Sequence, residues 1–450
     1  MLKNILNRLL HSDNSRTELL KKNILGSLVV KGWTCVVQLL LVPVTLSCLT
    51  QYEYGIWLTI NSILIWIDTF DIGLGNGLRN QLAKALANND LERGRRQVST
   101  TFIMLSVIII PVVLALMALI HYADCYAFFN VNPSLVPHLA ELLMVAVAMV
   151  GATFVFKFIG NVFLALQLPA INNLIVALGQ TLAFIAILAM SLLYSHISLL
   201  AVALAYTLSP LLVYLCAYPL TFHRYPRLRP SFKLYDQQEL RGLFGLGVKF
   251  FLVQMSGMVI FTTSNILISR LFSPLEVTPY QVANRYFGLT NILFTLISAP
   301  LWSATTDAYT RGDWPWIMST VRRMNKIVVA LCGFLVIMLC IADPVYLLWV
   351  GKKVQVPFVM SAGMAVYMAV VLYGTCYSNL LCGIGKIRVL TIVSVIQACI
   401  YLPLAIKLSA MFGVEGIVYA LVITTLISAV TNKLQFDMLA SHRAHGIFNK

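Results

Sequence analysis

Apolar runs as long as a bilayer is thick recur from one end of this chain to the other. One of them, "VSTTFIMLSVIIIPVVLALMALI" over 98–120, carries no charged residue, and roughly 18 or more such residues in a row read as a membrane-spanning helix. The repetition leaves no room for a second soluble domain, so the 450 residues form one integral unit. Composition agrees: 59% of the residues are hydrophobic and 11% are charged. The mean hydropathy of +0.84 lies outside the range of a soluble globular protein. The expected class is an all-α polytopic membrane protein.

Apolar length set against polar punctuation places twelve spans, near 24–48, 54–79, 98–120, 136–166, 171–194, 197–221, 244–272, 280–308, 321–341, 357–383, 388–411 and 414–435. Most of the 32 Lys and Arg residues fall at the N-terminus, after even-numbered spans and at the C-terminus, whereas the connections on the opposite side hold only Lys352 and Lys353. The positive-inside rule then puts both termini in the cytoplasm, as an even span number requires. It also accounts for the net charge of +15 without nucleic acid as a partner. Residues 1–23 place Leu2, Ile5, Leu9 and Leu10 on one helical face with Lys3 and Arg8 off it, which suits either a helix lying on the cytoplasmic leaflet or a polar tail. No small-residue cleavage site follows an apolar core there, so the segment does not read as a removed signal peptide. Nine cysteines, an odd number and mostly in apolar segments, point to no disulfide framework.

The two halves match at a constant offset. "LVVKGWTCVVQ" faces "LGVKFFLVQ", setting Lys31 against Lys249, and "NVFLALQLPAINN" faces "NLLCGIGKIRVLT", setting Asn161 against Asn379; both offsets are 218 positions. Polar turns ending in Asp90 and Asp313 each precede a twin-Arg helix start, which makes both plausible N-caps. A repeat of six spans begins both halves on the same face, so the halves are parallel repeats about an axis along the membrane normal. The expected organisation is a cytoplasmic N-terminus (1–23), a six-helix bundle (24–222), a basic cytoplasmic linker (223–243), a second six-helix bundle (244–435) and a cytoplasmic tail (436–450).

These residues carry a resemblance. The "YGIW" of Tyr54 to Trp57, "FDIGLGNGLRNQLAKAL" at the end of span 2, the turns "ALQLPAINN" and "CGIGKIRVL", and the six-plus-six plan are similar to the bacterial O-antigen and capsular repeat-unit flippases. That family belongs to the multidrug, oligosaccharidyl-lipid and polysaccharide exporter superfamily. The resemblance implies a V-shaped pair of bundles around a central cationic cavity. It also implies alternating-access flipping of an undecaprenyl-diphosphate-linked oligosaccharide across the bacterial inner membrane for surface polysaccharide synthesis. The expected partners are that lipid-linked glycan, the bilayer and the polysaccharide polymerase machinery, with the chain itself a monomer.

Charges inside spans need a reason, since one at mid-bilayer costs about 2.5–3.5 kcal/mol on insertion scales. Lys31 and Lys249 sit at equivalent places in the first helix of each half and are the first choice for binding a diphosphate; the competing reading is that each snorkels to the cytoplasmic surface. Arg270 and Arg285 belong near the periplasmic side, where cargo leaves, although Arg285 also suits an interface anchor or a pair with Glu276. Lys157 lies deeper, along span 4, within reach of cargo or of the headgroup region. Asp68, Asp71, Gly75 and Arg79 form a polar stripe on span 2, with Asp307 as a counterpart in the second half. Two roles are open for these acids: protonation that biases inward and outward states, or structural pairing with Lys31 or Arg79. Trp57, Trp66, Tyr280, Tyr286 and Trp302 are interface anchors or stacking faces for sugars, and Gln38, Asn61, Gln254, Asn265, Asn284 and Asn291 serve either a glycan or neighbouring helices.

Gly73, Gly75 and Gly77 in "TFDIGLGNGLRN" look like a phosphate loop. A dinucleotide fingerprint, however, follows a strand and is followed by an acid about 20 residues on. Here about 15 residues of apolar helix come first, so the three glycines read as a packing and gating joint. No Walker-type loop, metal constellation or activated nucleophile occurs, so the chain is expected to be no enzyme, to need no cofactor, and to draw on a proton or sodium gradient. The alternative function is a cation-coupled multidrug antiporter of the same superfamily. It predicts an acidic cavity, whereas basic residues outnumber acids in these spans.

Overall fold

The computed structural model describes residues 15–69, 73–194 and 197–449, without the side chains of 15–25, 241–254 and scattered positions such as 302–304, 306 and 307. Among the described residues every regular element is helical, the form that lets an apolar chain satisfy its backbone within hydrocarbon. In chain order the helices are α1 (Ser15–Cys48), α2 (Gln51–Thr69), α3 (Leu74–Ala87), α4 (Leu91–Tyr122), α5 (Cys125–Phe129), α6 (Leu139–Phe156), α7 (Phe158–Ala165), α8 (Pro169–Leu193), α9 (Leu199–Arg224), α10 (Gln237–Leu271), α11 (Pro274–Thr310), α12 (Trp314–Cys340), α13 (Ala342–Val350), α14 (Phe358–Ile384), α15 (Arg388–Phe412) and α16 (Val414–Ala440). Among the described residues nine segments are long and apolar enough to cross a membrane, with α6 and α7 counting as one over Leu139–Ala165. Helices also cover the other three expected spans, as α2, α10 and α11, and in α10 the apolar run among the described residues is Gly257–Leu271.

Local chemistry sets the helix ends. Asp90 and Asp313 are N-caps: the Asp90 carboxylate accepts from the Arg93 amide at 3.0 Å and that of Asp313 from the Trp316 amide at 3.0 Å. Each such bond satisfies a donor the helix itself cannot. Span 2 departs from expectation. Instead of one helix over 54–79, the pattern breaks at Gly73, whose φ is 79°, immediately before α3 starts at Leu74. That left-handed conformation is open to glycine without the penalty a Cβ incurs. Asp71 lies in 70–72, outside the described residues.

The chain divides into two compact units that are not simple halves. The first holds 1–50, 63–127 and 132–251, and the second holds 51–62, 128–131 and 252–450. In the first unit α1 packs on α8, α8 on α9, α9 on α6, α6 on α4, and α3 on both α4 and α7. In the second, α14 and α15 pack on α16, and α11 and α12 pack on α14. Gly55 permits the closest approach there, since a Cβ at that position would lie 1.7 Å from the carbonyl oxygen of Pro274 at the start of α11.

The linker after α9 is fastened to the N-terminal third of α4. Leu228 is buried, the Ser231 amide donates to Ser99 Oγ at 3.0 Å, and the Asp236 amide donates to Thr100 Oγ1 at 3.0 Å. Arg95 donates to the Arg229 carbonyl at 2.9 Å. Glu239, in the first turn of α10, accepts from Arg93 Nε at 2.7 Å and from Gln97 Nε2 at 2.8 Å.

Candidate functional site

In the first unit the structure joins two residues that sequence spacing kept apart. Lys157 occupies the junction of α6 and α7, where its amide still donates to the Thr153 carbonyl at 2.9 Å. Its ammonium donates to Asp68 Oδ2 at 2.6 Å and to the Asp68 carbonyl at 3.3 Å. Both side chains are half-exposed, at 44% for Lys157 and 38% for Asp68. Asp68 is the penultimate described residue of α2. Lys157 therefore neutralises the acid and also binds the backbone carbonyl of the same residue. Tyr214, buried on α9, lies within electrostatic range of the same carboxylate.

Structural pairing is one of the two roles open for the acids, and the partner Asp68 has is Lys157, not Lys31 or Arg79. Lys31 is exposed on α1 and Arg79 is exposed on α3, while the partner of Asp68 stands 89 positions away. Gly73, Gly75 and Gly77 are buried, and the Gly77 amide donates to the Gly73 carbonyl at 2.9 Å in the first turn of α3. The Lys249 and Asp307 side chains lie outside the described residues.

In the second unit Arg270, exposed in the last turn of α10, sits over the Phe128 ring at 5.3 Å from its centroid. The segment beneath it is stitched to the same helix end: Asn130 donates to the Phe272 carbonyl at 2.9 Å and Ser269 to the Phe129 carbonyl at 2.8 Å. Arg285 is half-buried on α11, within electrostatic range of Tyr54. Asn265 is committed to neighbouring helices, donating to Ser62 Oγ at 2.7 Å and accepting from Gln281 at 2.7 Å. Trp57, Tyr280 and Tyr286 are buried rather than set out as interface anchors or sugar platforms, because their large apolar faces fill the interior. The side chains of Gln254 and Trp302 lie outside the described residues.

A cavity of about 220 Å³ opens among α10, α14, α15 and α16, lined by neutral groups that include Ser378, Ser394, Gln397 and Asn432. No sequence signal marked it, since its lining is divided among four helices distant in sequence. Among the described residues no three His, Cys, Asp or Glu side chains converge to hold a metal ion.

With this geometry in view, the chain is similar to solved transporter structures. It resembles an inward-facing multidrug resistance MATE family transporter of the MOP superfamily at 16% identity and a TM-score of 0.74, covering 93% of this chain and 98% of that one. It resembles an outward-facing structure of the same description at 17% identity and a TM-score of 0.64, covering 97% and 100%. At such identity the likeness is one of fold, that of a multi-pass membrane transporter. The profile of the polysaccharide biosynthesis protein family matches residues 20–303, and the chain belongs to that family. A Salmonella typhimurium protein named as an O-antigen transporter is 22% identical over 89% of this chain and 91% of its own length. A Yersinia pseudotuberculosis protein named for O-antigen export is 20% identical over 87% and 90%.

Proposed function

We propose that this protein flips an undecaprenyl-diphosphate-linked oligosaccharide repeat unit across the bacterial inner membrane by alternating access, supplying surface polysaccharide synthesis. The observation that carries the reading is membership of the polysaccharide biosynthesis family over 20–303, and the cations within the spans give it a chemistry. In this reading twelve spans form two parallel six-helix repeats over 24–222 and 244–435, with both termini and the 223–243 linker in the cytoplasm. Lys31 and Lys249, at matching places in the repeats, hold the diphosphate, Lys157 contacts it deeper in span 4, and Arg270 and Arg285 serve its departure. Asp68, Asp71, Asp307 and Arg79 couple the cycle to an ion gradient, and Gly73, Gly75 and Gly77 allow the neighbouring helices to slide.

The second reading, a cation-coupled multidrug antiporter, is favoured by the fold likeness alone. A cationic cargo needs free carboxylates, yet Asp68 is neutralised by Lys157 at 2.6 Å. The test is a Lys31→Ala, Lys249→Ala double variant in the native host. At equal protein levels, surface polysaccharide on silver-stained gels is expected to fall by at least about tenfold, the effect of losing roughly 1.4 kcal/mol of charge-assisted binding. Unchanged export would overturn the diphosphate role of this pair.

A further inference from the structure

The ion pair on the first unit has the form of an occupied anion site. Lys157 presents three donor protons, of which the carboxylate and carbonyl of Asp68 take two, at 2.6 and 3.3 Å. The third has no acceptor among the described residues. Both partners are half-exposed, so a polar ligand reaches the ammonium without opening the core. A competitor has only one carboxylate to displace, and both side chains of the pair are accessible from outside the fold. A diphosphate brings more charge and more acceptor oxygens than one carboxylate, and it can engage the third proton as well.

We propose that Asp68 is an internal stand-in for the anionic head of the cargo, and that a diphosphate displaces it from Lys157 during transport. This rests on the flippase reading and adds to it a defined exchange. The exchange has a mechanical result. In the resting pair Lys157 ties Asp68 of α2 to the junction of α6 and α7 through both the carboxylate and the backbone carbonyl. Once the ammonium turns to the diphosphate, both bonds to Asp68 are lost and α2 is no longer fastened to the α6–α7 junction. Binding of the anion and release of α2 from that junction then become one event. The displaced carboxylate stays beside Tyr214, the buried α9 side chain already within its electrostatic range.

The test titrates the full-length protein in nanodiscs with inorganic pyrophosphate and, separately, with undecaprenyl diphosphate. Removing the internal competitor by Asp68→Asn is expected to tighten pyrophosphate binding by about fivefold, the most that a half-exposed ion pair withholds. Lys157→Met, which keeps the apolar stem, is expected to weaken binding, and the double variant is expected to match Lys157→Met alone. Equal or weaker binding by Asp68→Asn overturns the exchange, as does a double variant that still binds more tightly than Lys157→Met. The two probes separate this outcome from the wider reading. Undecaprenyl diphosphate binding without the expected order removes the exchange and leaves the flippase standing. The expected order with pyrophosphate, but no binding of the lipid, supports the exchange and removes the lipid-linked cargo.

Discussion

Gly55 and Gly73 show how single positions decide this fold for opposite reasons. A Cβ at Gly55 would sit 1.7 Å from the Pro274 carbonyl oxygen, and no rotamer relieves a clash between backbone atoms. Gly55→Ala is expected to cost about 1–3 kcal/mol, the price of overpacking, and to lower the midpoint of heat-induced aggregation in detergent. Gly73 has backbone geometry at stake, with φ at 79°, so Gly73→Ala is expected to cost about 1–2 kcal/mol in the same assay. Asp90 was readable in advance because a cap acts on the third residue along, and here it accepts from the Arg93 amide. The Lys157–Asp68 pair was not readable, because nothing local signals a partner 89 positions away. The sequence named both residues as functional candidates but assigned them to different tasks.

Among the elements, span 2 and the start of α10 carry the main lessons. The apolar pattern of 54–79 predicts one helix, and the break at Gly73 escapes that pattern because a left-handed residue changes direction without changing composition. The start of α10 is held by Glu239, whose carboxylate is bonded to Arg93 and Gln97 of α4. Glu239→Ala is expected to destabilise this attachment by about 1 kcal/mol, since Arg93 is half-exposed and screened. The measurable sign is faster cleavage within 223–236 under limited proteolysis, with Glu239→Gln in between, as it keeps an acceptor for Arg93. Unchanged cleavage would show that Leu228 and the backbone bonds suffice to hold the linker on α4.

For the whole molecule, the class of fold was legible because apolar length is a property of each segment by itself, and nine such segments stand among the described residues. Which segments cluster together depends on packing among helices distant in sequence. Composition therefore did not reveal that Gln51–Ser62 and Phe128–Val131 join the C-terminal unit. The positive-inside reading makes a further prediction: a fluorescent-protein fusion in the 223–243 linker should glow and an alkaline-phosphatase fusion there should be inactive. The fastening of that linker to α4 bears on how such transporters recombine. A hybrid with a relative joined near residue 222 would part Glu239 from Arg93 and Gln97, and would leave Gln51–Ser62 facing foreign neighbours. A crossover after Phe251 that also transplants Gln51–Ser62 and Phe128–Val131 would move the second unit intact. The seam along which evolution or an engineer can exchange one unit for another therefore lies inside a helix, well past the loop that looks like the natural place to cut.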